Sequence, residues 1–276
     1  SAATSVVLAH IGQATKSIRI GSAGIMLPNH APMVIAEQFG TLEALFPGRI
    51  DLGLGRAPGS DQRVARALRR TLASDERQFP QDVLELQAFL AGDEQLGITA
   101  VPGAGTHIPL WILGSSTFGA QLAAMLGLPY AFASHFAPDA LDEALDIYRR
   151  QFKPSAQLAE PYAAAAFNAF AADSREEAEL LASSQQQAFV ALRTGNPGKM
   201  QPPLAGYKDG LPPNARAILD HVLQCSAVGT ADDIAAGLKA FVARTKVDEV
   251  IIASSMYDHD ARKHSLALTM EAGKAL

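Results

Sequence analysis

Three short stretches carry residues whose types and spacing suit the binding of a flat, charged molecule. In "IRIGSAGIMLPNHAP", residues 18 to 32, an apolar strand pattern gives way to four small residues, Gly21, Ser22, Ala23 and Gly24. Ile25, Met26 and Leu27 then resume it, and Pro28 ends it. In "IDLGLG", residues 50 to 55, Ile50, Leu52 and Leu54 share one face by alternation, while Asp51, Gly53 and Gly55 share the other. Emptied strand ends either leave room for something flat and large or fit a tight interior. In "WILGSSTFGAQLAAMLG", residues 111 to 127, Gly114, Ser115, Ser116 and Thr117 stand where a strand gives way to a helix. A helix start offers unpaired N–H groups and a partial positive charge, so a glycine and hydroxyl turn there can hold a phosphate. Ordinary capping by Ser115 or Ser116 explains the same residues. Arg56, just past the second glycine-rich strand, adds a cation able to fork onto the same anion. Together these features describe a pocket for a phosphorylated planar cofactor.

The remaining polar residues have less specific patterns. His30 follows the first emptied strand and His135 ends "FASHF", so both are placed to face an active-site mouth, with a structural role as the alternative. The other five histidines read as ordinary helix or loop residues. Asn168, inside an apolar strand pattern, either points into the pocket or is a satisfied buried amide. "GLGRAPG", Gly53 to Gly59, has GxGxxxG spacing and lacks an acidic residue about 20 residues on, which argues against a dinucleotide fingerprint. No HExxH, nucleophile elbow or triad spacing occurs, and no metal site is expected.

Positioning those residues requires parallel strands. Strand-length runs at 18–26, 50–55, 108–114, 129–134, 162–171 and 248–255 alternate with helical patterns near 31–46, 60–91, 116–127, 138–152, 174–193, 214–224, 230–245 and 260–274. Such alternation implies an α/β fold with a parallel sheet, doubly wound or closed into a TIM (β/α)8-type barrel, whose site lies at the carboxyl ends of the strands. Residues 1 to 17 read as a helix feeding the first strand, so a strand, a helix and a second strand are expected upstream of Ser1, bringing six strands to eight. The whole span 1–276 reads as one barrel domain. Residues 194 to 213, with four glycines and five prolines, read as a mobile lid loop.

Composition narrows the partners. Hydrophobic residues make up 48 %, charged residues 18 %, and the net charge is −5, which suggests neither a nucleic-acid surface nor a disordered acidic tail. A small molecule is the expected partner. The single cysteine, Cys225, rules out an internal disulfide framework. The most apolar run, residues 161 to 172, is too short to span a bilayer, and no signal-peptide pattern opens the chain, so a cytoplasmic protein is expected. Arg63, Arg66, Arg69 and Arg70 form a basic stripe, read as a solvated face or a dock for a partner protein.

The blocks "IGSAGIMLPNHAPMVIAEQFGTLEALFPGRIDLGLGRAPG", "PLWILGSS", "GLPYAFASHF" and "DEVIIASSMYDH" resemble the bacterial luciferase-like flavin monooxygenases, in particular their alkanal-monooxygenase-like branch, over nearly the whole chain. The resemblance implies an eight-stranded barrel, FMN or its reduced form as cofactor, and a homodimer. It also implies a non-proline cis peptide beneath the flavin ring at Ala23–Gly24, and places Arg56, Ser115, Ser116 and Gly119 at the flavin phosphate. A valine at Gly24 is then expected to block the ring and leave the fold intact. The family's acid/base histidine motif would lie upstream of Ser1. Where luciferases proper carry a thiol beside the flavin this chain has Gly55, so light emission is not expected.

The leading expectation is a monooxygenase that takes reduced FMN from a separate reductase and inserts one oxygen atom from O2 into a small aldehyde- or alkane-like substrate. A lid would keep water from the reduced flavin. Hydride transfer by a deazaflavin on the same barrel is one alternative, and flavin binding without turnover is another.

Overall fold

A computed structural model describes residues 3–56 and 78–274. Residues 60–77 of the helical stretch expected over 60–91, and the basic stripe from Arg63 to Arg70, lie outside the described residues. The chain divides into two compact units, Ser1–Ala131 with Asp146–Tyr162, and Phe132–Leu145 with Ala163–Leu276.

The first unit opens on helix α1 (Thr4–Ala14) and strand β1 (Ile20–Met26), followed by α2 (Pro32–Leu45), β2 (Ile50–Gly55), α3 (Phe79–Ala91), β3 (Leu110–Gly114) and α4 (Thr117–Leu126). Strand β4 (Tyr130–Phe132) and helix α5 (Leu141–Gln151) contribute residues to both units. Helix α2 begins with proline, whose fixed φ suits a first helical turn. It buries Ile35, Ala36, Phe39 and Leu42 along one stripe. Ile50, Leu52 and Leu54 are all 1 % exposed or less, as their shared strand face requires. The Arg49 guanidinium ties the end of α1 to the start of β1, donating to the carbonyls of Gly12, Thr15 and Ile18.

Strands β1, β2 and β3 pair in parallel, with Gly53 opposite both Ala23 and Trp111. The β1–β2 register slips between Ala23 and Ile25, so Gly24 is an extra residue in β1. The Ala23–Gly24 peptide is cis, at the position implied by the resemblance.

The second unit is built around β5 (Ala163–Ala171), in which all nine residues are buried. A run of four alanines has weak strand propensity; burial on both faces makes it a strand. The second half of β5 pairs with β6 (Ser226–Gly229) and the first half with β7 (Glu249–Ala253), both in parallel. Helices α6 (Arg175–Arg193), α7 (Pro213–Val222), α8 (Ala231–Thr245) and α9 (His259–Gly273) complete it. Three of the helix starts are capped by side chains: Ser174 for α6, a Thr230/Asp233 capping box for α8, and Asp258 for α9. Strand β6 was not anticipated, because four residues between two helical patterns carry no detectable period. The described residues therefore hold seven strands where six were expected.

Residues 195 to 212 contain no helix or strand. They are nevertheless tied to their neighbours. Leu204 N–H donates to Ser183 Oγ at 2.8 Å, Gln187 Nε2 donates to the Pro202 carbonyl at 2.9 Å, and Lys208 pairs with Asp220.

Candidate functional site

The small residues at the ends of β1 and β2 serve two purposes that the sequence does not separate. A Cβ at Gly21 would lie 2.6 Å from the Asp51 carbonyl oxygen, and one at Gly24 would lie 2.7 Å from that of Gly53. At Gly53 it would lie 2.1 Å from the Ser22 carbonyl oxygen and 2.7 Å from Leu113 Cδ1. These three glycines let neighbouring backbones approach, and the Ser22 hydroxyl adds a buried bond to the Gly53 carbonyl at 2.9 Å. Gly55 is different. Among the described residues a Cβ there would meet nothing closer than the Ile25 carbonyl oxygen at 3.9 Å. Ala23 is exposed, and Gly24 and Gly55 are half-buried. Ala23, Gly24 and Gly55 are thus accessible small residues at the ends of β1 and β2.

The β3–α4 turn carries hydroxyls and an open helix start. Ser116 stands at the N-cap of α4 with extended backbone, yet its side chain makes no capping bond. Among the described residues neither the Ser115 nor the Ser116 hydroxyl has a hydrogen-bond partner, and Ser115 is exposed. Ordinary side-chain capping by Ser116 is therefore absent, and among the described residues the two hydroxyls are left open beside the first N–H groups of α4. Tyr130, fully buried, donates its hydroxyl to the Ser116 carbonyl at 3.1 Å and holds the turn in place. Burial pushes the Tyr130 phenol pKa far above its usual value, so it remains a donor. Arg56 lies beside this turn, its Cζ 4.2 Å from the centroid of the Phe118 ring.

Gly114 and Gly119 meet for a packing reason. A Cβ at Gly119 would lie 3.3 Å from the Tyr130 ring and 3.6 Å from Gly114 Cα, and Gly119 is buried. It brings the first turn of α4 onto the end of β3, while Ser115 and Ser116 present the polar groups. Tyr130 and Phe118 were not singled out from sequence. The signal for Tyr130 was a buried tyrosine in a short strand, whose hydroxyl must find a partner.

The two histidines expected at the site fall in different units. His30, in the first, is half-buried and closes the turn after β1 through its N–H to the Leu27 carbonyl at 2.9 Å. His135, in the second, sits on a loop pinned to β5. Ser134 Oγ donates to the Ala166 carbonyl at 2.5 Å, and Asn168 Nδ2 donates to the His135 carbonyl at 2.6 Å. Asn168 is therefore the satisfied buried amide of the two readings above.

The His135 ring packs edge-on against Phe136, and its buried Nδ1 has no partner. Burial lowers its pKa, which favours the neutral imidazole. Because the folded pKa lies below the unfolded value of about 6.5, the unfolded chain binds the proton first. The folded state keeps its full stability above that value and loses part of it as pH falls below. His135→Leu is expected to flatten the decline in urea midpoint between about pH 7 and pH 5, compared with the unaltered chain. An identical decline in both proteins would remove His135 as its source.

His221 and His264 pair with Asp139 and Asp173, and His259 accepts from Arg262, as expected for surface residues. Among the described residues no group of three or more histidine, cysteine or acidic side chains could hold a metal, and no helix is long and apolar enough to cross a membrane.

Parallel strands alternating with helices, with small residues at the ends of β1 and β2 and an uncapped start to α4, define a protein of the (β/α)8 class. The chain belongs to the luciferase-like monooxygenase family, which it matches over residues 2–249. Membership makes it an oxidoreductase of the monooxygenase kind. It is 50 % identical to a luciferase-like monooxygenase of Escherichia coli strain K12 over 277 residues, covering 100 % of this chain and 83 % of the relative. Apo-MsnO8 superposes with a TM-score of 0.84 at 28 % identity, over 99 % of this chain and 82 % of that one. The oxygenating constituent of 3,6-diketocamphane monooxygenase from Pseudomonas putida, in complex with FMN, superposes at 0.68 and 18 % identity, over 96 % and 81 %. An F420-dependent secondary alcohol dehydrogenase superposes at 0.60 and 14 %, over 97 % and 83 %. These last two likenesses concern the fold alone.

Proposed function

We propose that the chain binds FMN in its reduced form, supplied by a separate reductase, and uses O2 to oxygenate a small organic substrate. The observation that carries this reading is the convergence of Arg56 with the uncapped Ser115–Ser116 turn, in the same unit as the floor formed by Ala23, Gly24 and Gly55. The residues fit the cofactor at both ends. Small residues leave a flat ring unobstructed, and a guanidinium, two free hydroxyls and a helix start suit a terminal phosphate. When bound, reduced flavin supplies the two electrons with which one atom of O2 enters the substrate and the other leaves as water.

The protein's own part is to hold the phosphate, keep the ring face clear and manage protons. His135, neutral and with an unpartnered buried Nδ1, is the proposed proton-handling group of the second unit, and His30 that of the first. Flavin titration followed by O2 consumption with photoreduced FMN and a panel of aldehydes and alkanes tests the proposal. Saturable FMN binding and substrate-dependent conversion to a monooxygenated product are expected. Absence of FMN binding would overturn it.

The F420-dependent neighbour on the same fold favours one second reading, hydride transfer by a deazaflavin. The same titration separates the two, since deazaflavin turnover moves a hydride without consuming O2. Binding without turnover of either would leave a flavin carrier.

A further inference from the structure

We propose that Phe118 is a positioning residue for the phosphate end of the cofactor, orienting the Arg56 guanidinium over the first turn of α4 while leaving its N–H donors unused. This rests on the flavin-phosphate reading given above. Three observations support it. Arg56 Cζ lies 4.2 Å from the Phe118 ring centroid, inside the range in which an aromatic face attracts a guanidinium. Among the described residues Arg56 has no hydrogen-bond or ion-pair partner, so none of them occupies its five N–H donors. Phe118 is the second residue of α4, beside the uncapped Ser116 N–cap, so its ring brings the cation to the end of the helix where free N–H groups already point outward.

The choice of an aromatic partner has a chemical consequence. A carboxylate would also hold the arginine, but would occupy the donors that a phosphate needs and cancel the charge. A ring face accepts the flat cation and leaves its edge open, so the guanidinium is preorganised and a planar, bidentate approach to a phosphate remains available.

The test compares FMN with riboflavin, which has the same ring system and no phosphate. Phe118→Met keeps most of the volume without an aromatic face. It is expected to weaken FMN binding roughly three- to tenfold and leave riboflavin binding unchanged. Phe118→Tyr should bind FMN as the unaltered protein does. In an Arg56→Ala background, Phe118→Met should cause no further loss, because the ring would have nothing left to position.

Unchanged FMN affinity in Phe118→Met, with Arg56→Ala still impaired, would overturn this inference and leave the phosphate site standing. Equal losses for both flavins in Phe118→Met would reduce Phe118 to a packing residue. If Arg56→Ala itself binds FMN normally, the phosphate reading fails first. Should Phe118→Met not fold, Phe118→Leu takes its place in the same comparison.

Discussion

Arg56→Ala is expected to lower FMN affinity roughly ten- to hundredfold, the equivalent of one charge-assisted contact of about 1.5 to 3 kcal/mol. Riboflavin, with no phosphate to lose, should bind the variant almost as well as it binds the unaltered protein. Some FMN affinity should survive, because the free N–H groups of α4 and the Ser115 and Ser116 hydroxyls do not depend on the arginine. Since the contact is between opposite charges in a half-exposed setting, the gap between the two proteins should narrow as salt is raised. Arg56→Lys should fall between them, because it keeps the charge but loses both the planar fork and the stacking on Phe118. Fluorescence titration with both flavins at two ionic strengths decides the matter. Parallel losses for FMN and riboflavin would mean that Arg56 supports the fold or the ring and not the phosphate.

Most of the architecture was legible because it depends on periodicity and composition over many residues. The alternation of Ile50, Leu52 and Leu54 with Asp51, Gly53 and Gly55 shows which face of β2 is buried, and the buried face is the one expected. The turn at Ser115 and Ser116 was legible as a place where a strand becomes a helix. Its status as capped or open was not, because that depends on one side-chain rotamer, and the Ser116 side chain makes no cap. Strand β6 escaped because it is short and gains its place only by pairing with β5.

Phe118 and Tyr130 escaped for a related reason. Each acts on a residue distant in sequence, Arg56 in one case and Ser116 in the other, and no spacing rule connects them. Asn168 carried two readings until the His135 carbonyl was found beside it. The glycines are the most instructive case. A glycine that admits a ligand and a glycine that admits a neighbouring backbone are the same letter, and only the distance to the next atom separates Gly55 from Gly53.

That separation corrects one expectation and replaces it with a sharper pair. A valine at Gly24 was expected to block the flavin ring while leaving the fold intact. The structure opposes this, because the new Cβ would sit 2.7 Å from the Gly53 carbonyl oxygen, and backbone cannot turn aside as a side chain can. Gly53→Ala is the more severe change, with its Cβ 2.1 Å from the Ser22 carbonyl oxygen. It must also displace the buried bond from the Ser22 hydroxyl. Overpacking of this kind costs about 3 kcal/mol or more where the neighbours cannot relax. For a chain of this size that corresponds to a fall in melting temperature of roughly 6 to 12 °C. Gly55→Val should behave in the opposite way. Among the described residues the nearest atom to its Cβ would be 3.9 Å away, so the protein should fold and melt normally, yet the branched side chain would stand in the space proposed for the ring and FMN binding should be lost. Thermal melts and flavin titrations of the two variants read these outcomes independently. A Gly53→Ala protein that melts with the unaltered one would show that β1 and β2 can separate at little cost, and a Gly55→Val protein that binds FMN undiminished would place the ring elsewhere than over Ala23, Gly24 and Gly55.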